Sequence, residues 1–148
     1  MAKGLIVYLD PSAFLKLYIP EPESGAVRDL VSAATVLCTH LIGYAEMRAA
    51  LSRAARIQRL DSDALHELAA QFERDWETLR IIVPDSVMVR RAGALAEQLQ
   101  LRGYDSVHLA AAEAVAQATL GGDFRMAVFD KSLGQAARTL GLSVFDAS

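Results

Sequence analysis

Apolar residues arrive in this chain in two rhythms. Short, mainly apolar runs, Leu5–Leu9, Thr35–Cys38, Leu79–Val83, Met126–Phe129 and Leu142–Phe145, are bounded by turn or helix-start residues. Strands buried on both faces of a parallel sheet have this form. Between them, apolar residues recur every three or four positions, the helical spacing. Pro11–Tyr18 reads as a short helix closed by Ile19-Pro20, and Glu23–Ala33 as a second. His40–Gln58 places Leu41, Tyr44, Met47 and Leu51 on one stripe, and Asp61–Thr78 does the same with Leu65, Leu68, Phe72 and Trp76. Asp85–Leu101 and Asp105–Thr119 follow, parted by Arg102-Gly103-Tyr104, and Lys131–Leu140 stops at Gly141. Strands alternating with helices predict an α/β fold, a three-layer α/β/α sandwich around a central, mostly parallel sheet of about five strands. The helices inserted between the second and third strands predict a lid or a partner-binding arm.

Composition narrows the class. A chain of 148 residues suits a single domain, 1–148, with a substantial core. Its 53% hydrophobic content leaves apolar surface for a partner or a second copy to cover. No apolar stretch approaches the ~20 residues of a membrane span, and the start, Met1-Ala2-Lys3-Gly4 and five apolar residues, is too short for a secretory signal. The single cysteine, Cys38, excludes an internal disulfide framework and a cysteine-rich metal site, and reads as a packing residue. A cytoplasmic protein is expected. The net charge of −3 argues against nucleic-acid binding by bulk electrostatics. A local patch remains open, because Arg48, Arg53, Arg56 and Arg59 crowd one stretch; they form either a solvated helix face or a set of phosphate contacts.

Four acids carry the candidate chemistry. Asp10 ends the first strand, and in open α/β sheets that edge is where ligands sit. Asp10, Asp105 and Asp130 each precede or open a helix, so each can equally be an N-cap, with Pro11 suited to the first helical position. Capping and cation binding are compatible, since a carboxylate has about four acceptor sites. Glu46 differs: it falls within a helix, and Ile42, Gly43, Ala49 and Ala50 are its neighbours three and four residues away. That setting suggests a close-packed face with the carboxylate turned into a cleft, although Arg53 two turns on is an alternative partner. Should the four meet, an all-oxygen cluster suits Mg²⁺ or Mn²⁺ better than zinc. Water activation and phosphate clamping are the chemistry of such a site. His108 reads as an active-site proton donor or, alternatively, as a hydrogen-bonded histidine in a packing face. His40 and His66 lack metal-ligand spacing, and Gly121-Gly122-Asp123 is a turn with no phosphate-loop sequence around it.

Four segments together resemble the PIN-domain family and, within it, the VapC-type toxins of toxin–antitoxin pairs. They are Leu9-Asp10-Pro11-Ser12-Ala13-Phe14-Leu15-Lys16-Leu17-Tyr18, Tyr44-Ala45-Glu46-Met47-Arg48-Ala49-Ala50-Leu51-Ser52-Arg53, Tyr104-Asp105-Ser106-Val107-His108-Leu109-Ala110-Ala111-Ala112 and Val128-Phe129-Asp130-Lys131-Ser132-Leu133. The resemblance implies a Mg²⁺-dependent endoribonuclease (Mn²⁺ also serving) that hydrolyses RNA phosphodiester bonds with metal-activated water. It implies Asp10 and Asp105 as direct metal ligands, Glu46 on metal-bound water or a second ion, and Asp130 orienting water. Ser12 matches the family's hydroxyl beside the first acid. A homodimer and a small cognate antitoxin filling the active-site groove are implied as well. One departure is Val128, where relatives carry Thr or Ser two positions before the fourth acid; another is Pro11 in place of Thr or Ser. Arg53 and Arg56 are the candidate contacts to the RNA backbone.

Two other readings compete. A phosphotransfer or phosphatase domain with an aspartate nucleophile wants a second aspartate two residues after Asp10, where this chain has Ser12. A catalytically silent PIN-like binding module would not need the full quartet.

Overall fold

The structure, a computed structural model, describes residues 4–119 and 122–146. Its sheet has five strands, all parallel: β1 (Leu5–Leu9), β2 (Val36–His40), β3 (Arg80–Ile82), β4 (Asp123–Ala127) and β5 (Val144–Phe145), ordered β3-β2-β1-β4-β5. The chain winds outward from β1 to β3 and then returns to β1's other side with β4. The point where the order reverses lies between β1 and β4, and at such a point the connections leave in opposite directions and open a crevice beyond the strands' C-terminal ends.

Alternation along β1 builds the three layers. Val7 and Leu9 face one side, with Ala13, Phe14, Met47, Leu51 and Phe72, and Tyr8 faces the other, with Leu95, Leu109, Met126 and Leu133. The first side is covered by α1 (Pro11–Phe14) and a 3-10 turn (Leu15–Leu17), then α2 (Ser24–Ala33), α3 (Gly43–Ile57) and α4 (Ser62–Trp76). The second is covered by α5 (Ser86–Leu99), α6 (Gly103–Ala118) and α7 (Lys131–Thr139). Caps account for most helix starts. The side chains of Asp61, Asp85 and Asp130 accept the backbone N–H groups of Ala64, Met88 and Leu133 at 2.8, 2.8 and 2.9 Å.

Several expectations are corrected. The second strand runs on to His40, because Thr39 Oγ1 donates to the Leu9 carbonyl at 2.7 Å and His40 Nδ1 accepts the Ile42 N–H at 2.9 Å. The following helix therefore begins at Gly43. The fourth strand starts at Asp123 and ends at Ala127, paired residue for residue with Leu5–Leu9; its polar Asp123 and Arg125 break the apolar run that would have marked it. The third and fifth strands are shorter than their apolar runs. The inserted helices are not a free arm, since Phe72 of α4 is fully buried among the rings of Phe14, Tyr18, Tyr44 and Trp76. The expected N-terminal stretch Met1-Ala2-Lys3 and Gly121 of the expected turn lie outside the described residues.

Candidate functional site

Each of the four acids reaches the C-terminal edge of the sheet on a different element. Asp10 follows β1 directly and caps α1; its Oδ2 accepts the Ser12 N–H at 3.0 Å and the Ser12 hydroxyl at 2.5 Å. Ser12 Oγ in turn accepts the Phe129 N–H at 2.9 Å, stitching the loop after β1 to the loop after β4. The buried Lys16 ammonium lies 4.6 Å from the centre of the Phe129 ring and braces the same loop from α1's side. Asp130 stands at the end of that loop as the cap of α7. Both sides of the crevice at the strand-order reversal thus carry a carboxylate.

Glu46 and Asp105 come from the first turns of α3 and α6. Asp105 is not a cap, because α6 starts earlier, with Arg102 in the cap position. Nor is Arg53 the partner of Glu46. Its Oε1 lies 2.5 Å from Nε2 of His108, a ring only 1% exposed, and Nδ1 of that ring meets the Tyr8 hydroxyl at 2.6 Å. His108 is therefore the hydrogen-bonded packing histidine of the two readings. Arg53 and Arg56 are exposed further along α3, Arg56 bonded to Ser52 Oγ, while Arg48 is engaged by Tyr44 and Glu73. Cys38 is buried, which pushes its thiol up to about 12.

Electrostatics tie the four acids into one group. Burial raises Asp10 above the ordinary carboxylate value, opposed by His108 and the two Ser12 hydrogen bonds and reinforced by Glu46. Burial also raises Asp105, with Asp130 and Glu46 pushing the same way and Arg102 and His108 pulling back. Arg102, 85% exposed, holds Nε 3.6 Å from Asp105 and a terminal nitrogen 4.0 Å from Asp130. The sequence signal for it is its position three residues before Asp105 on a helix start, the i,i+3 spacing of an ion pair.

Because both pKa values are raised on folding, the folded chain holds more protons than the unfolded one at pH values between the unfolded and folded pKa. Stability from these two groups is then full below the unfolded value and lost as pH rises through the folded ones. Asp105→Asn removes its share of that loss. We expect the metal-free variant to melt higher than wild type at neutral pH, by about 1–2 °C given solvent screening of a half-open carboxylate. A pH series of melting curves in chelator checks this, and an unchanged or lower neutral-pH melting temperature contradicts it.

The donor set fits a hard divalent cation. Among the described residues, Asp10 Oδ1 and Glu46 Oε2 make no hydrogen bond, while the second oxygen of each is fixed by the protein. No three His, Cys, Asp or Glu side chains among the described residues stand close enough to form a ready-made cage. Carboxylate oxygens left free in this way are the hard ligands that a divalent cation takes.

Comparison with known proteins agrees with this picture. The PIN domain family profile matches residues 7–132. Ribonuclease VapC45 of Mycobacterium tuberculosis is 34% identical over 139 residues, covering 94% of both chains. Among solved structures, Mycobacterium tuberculosis VapC20, a Sarcin-Ricin loop cleaving toxin, superposes with a TM-score of 0.65 at 16% identity, over 88% of this chain and 94% of that one. A toxin-antitoxin complex from Klebsiella pneumoniae gives a TM-score of 0.59 at 16% identity, over 84% and 87%. At such identities the structural matches speak for the fold alone.

Proposed function

Since this chain belongs to the PIN-domain family, in its VapC branch, we propose that residues 1–148 form one divalent-metal-dependent endoribonuclease domain. In this reading it is the toxin of a type II toxin–antitoxin pair. What supports the reading is that Asp10, Glu46, Asp105 and Asp130 come from four elements at one edge of the sheet, where Asp10 feels Glu46 and Asp105 feels Asp130 and Glu46, with spare oxygens on Asp10 and Glu46.

In this reading Asp10 and Asp105 hold the cation, Mg²⁺ or Mn²⁺, and Glu46 and Asp130 orient water beside it. When bound, the ion would neutralise the acids, lower the pKa of water and stabilise charge on the phosphate. Ser12 holds Asp10 through two hydrogen bonds and fixes the opposite loop through the Phe129 N–H, so the crevice keeps its width. Hydrolysis adds water across one P–O bond of the RNA backbone, and Arg102 stands at the mouth with a guanidinium able to accompany the departing charge. Incubating the protein with structured RNA, with and without chelator, tests the reading: cleavage is expected only with free Mg²⁺ or Mn²⁺. Cleavage that survives chelation overturns it.

Arg53 and Arg56 extend from α3 beyond Glu46 and are proposed to bind the RNA backbone. Replacing both by glutamine should weaken RNA binding and flatten its salt dependence, by about 1.4 in log–log slope for two lost contacts to a single strand. An unchanged slope removes both from the binding surface. The reading also includes a small antitoxin and a homodimer. In support, a structural relative is a toxin-antitoxin complex, and the exposed Val83, Val87 and Val89 give a second copy apolar surface to cover. A cytoplasmic location belongs to the same proposal; among the described residues, no helix is long and apolar enough to cross a membrane.

A further inference from the structure

A chain of buried and part-buried polar contacts lies behind the acids. Glu46 Oε1 meets His108 Nε2 at 2.5 Å, and His108 Nδ1 meets the Tyr8 hydroxyl at 2.6 Å, with Tyr8 and His108 both buried. An ionised carboxylate only accepts hydrogen bonds, so Nε2 must carry the proton. A neutral ring then accepts the Tyr8 O–H at Nδ1, and a protonated ring donates from Nδ1 to the Tyr8 oxygen, so Tyr8 pairs that nitrogen in either form. Three elements, β1, α6 and α3, are thereby linked in one relay that ends on the oxygen of Glu46.

The ring has little room to turn. Gly43, the first residue of α3, faces the Cε1 edge of His108: a Cβ there would stand 3.8 Å from that edge and 3.2 Å from Thr39 Oγ1. The His40 ring stands roughly edge-on, with centroids 6.1 Å apart, and Tyr8 is edge-on at 5.9 Å. Among the described residues, His40 Nε2 is the buried side-chain polar atom with no partner, so His40 supplies no competing hydrogen bond to the ring. Asp105 contrasts with Glu46, being tied only to an exposed arginine at 3.6 Å.

We propose that His108 and Tyr8 are positioning residues of the cation site: Tyr8 fixes the angle of His108, and His108 holds one oxygen of Glu46 so that the other faces the crevice. This inference rests on the metal-dependent reading of the four acids. Such supporting hydrogen bonds around ligands set metal affinity by about 10–100-fold where they have been removed.

Mn²⁺ titrations of the full chain, read by electron paramagnetic resonance, test it without relying on turnover. His108→Leu should bind Mn²⁺ at least about tenfold more weakly than wild type, and His108→Gln, which returns an N–H donor toward Glu46, should stay within about threefold. Tyr8→Phe should fall between them, with its melting curve close to wild type. In cleavage assays, the same variants should raise the Mn²⁺ concentration for half-activity at saturating RNA and, with RNA varied at saturating Mn²⁺, leave the KM for RNA unchanged. Should His108→Leu fail to fold, the ordering of wild type, His108→Gln and Tyr8→Phe decides. Equal Mn²⁺ affinity in all the folded variants, or equal loss in His108→Leu and His108→Gln, overturns the relay. Asp105→Asn serves as the separating control. If it loses Mn²⁺ while His108→Leu and Tyr8→Phe do not, only the relay falls; if it binds like wild type, the cation reading falls with it.

Discussion

Asparagine in place of Asp10 lowers RNA cleavage at saturating Mg²⁺ by about 10²–10³-fold, equivalent to ~3–4 kcal/mol of lost charge stabilisation at the reacting phosphate. The substitution separates two roles that coincide at this residue. Asparagine caps a helix as well as aspartate does, and its side-chain oxygen can still accept from Ser12, so α1 keeps its start. The charge and the free oxygen Oδ1 are removed together, an NH2 group standing where that oxygen was. Asp105→Asn should give a loss of similar size, because Asp105 caps nothing and, among the described residues, has Arg102 as its one ion-pair partner. Steady-state cleavage of a structured RNA by both variants measures the effect. Retention of more than about a tenth of the wild-type rate in both would mean that neither charge serves the reacting centre.

Phe72→Ala should cost about 3–5 kcal/mol of stability, the range for emptying a fully buried aromatic site. The ring sits 5.5 to 6.0 Å, centre to centre, from those of Phe14, Tyr18, Tyr44 and Trp76, so collapse into the void would have to move four aromatic neighbours at once. For a chain this long the melting temperature should drop by about 10 °C or more. The consequence reaches the site. Tyr44 lies on α3 two residues before Glu46, and its hydroxyl is bonded to Glu73 of α4, beside Arg48. Loosening α4 therefore loosens the helix that aims Glu46. Denaturant melts measure the stability loss, and a cost under about 1 kcal/mol would show that α4 is not part of the core layer.

The layered fold was legible because both of its rhythms are physical requirements. A strand covered on two faces must be apolar throughout, as Leu5–Leu9 is, and a covering helix must be apolar every third or fourth residue, as Leu68, Phe72 and Trp76 are. Reading failed where polar residues were satisfied locally. Thr39 and His40 stay in β2 because the Leu9 carbonyl and the Ile42 N–H partner them, and Asp123 and Arg125 stay in β4 because the pairing with β1 runs through them. The identities of the four acids were visible in the chain, and their placement on four elements at one sheet edge required the strand order. What held them was less visible. Tyr8 looked like one more apolar strand residue, yet a buried tyrosine needs a partner for its hydroxyl, and that partner lies 100 positions away. Arg53, two turns on, is the alternative partner that helical spacing offers Glu46, and the inward side of α3 meets His108 instead.

The central claim is that Asp10, Glu46, Asp105 and Asp130 surround a single divalent-cation position. Anomalous scattering from a Mn²⁺-soaked crystal tests it most directly. A peak about 2.0–2.3 Å from oxygens of Asp10 and Asp105, with Glu46 and Asp130 within reach of its waters, is the expected result. A well-diffracting crystal with no peak in the β1/β4 crevice, or with its peak ligated by other residues, would contradict the claim.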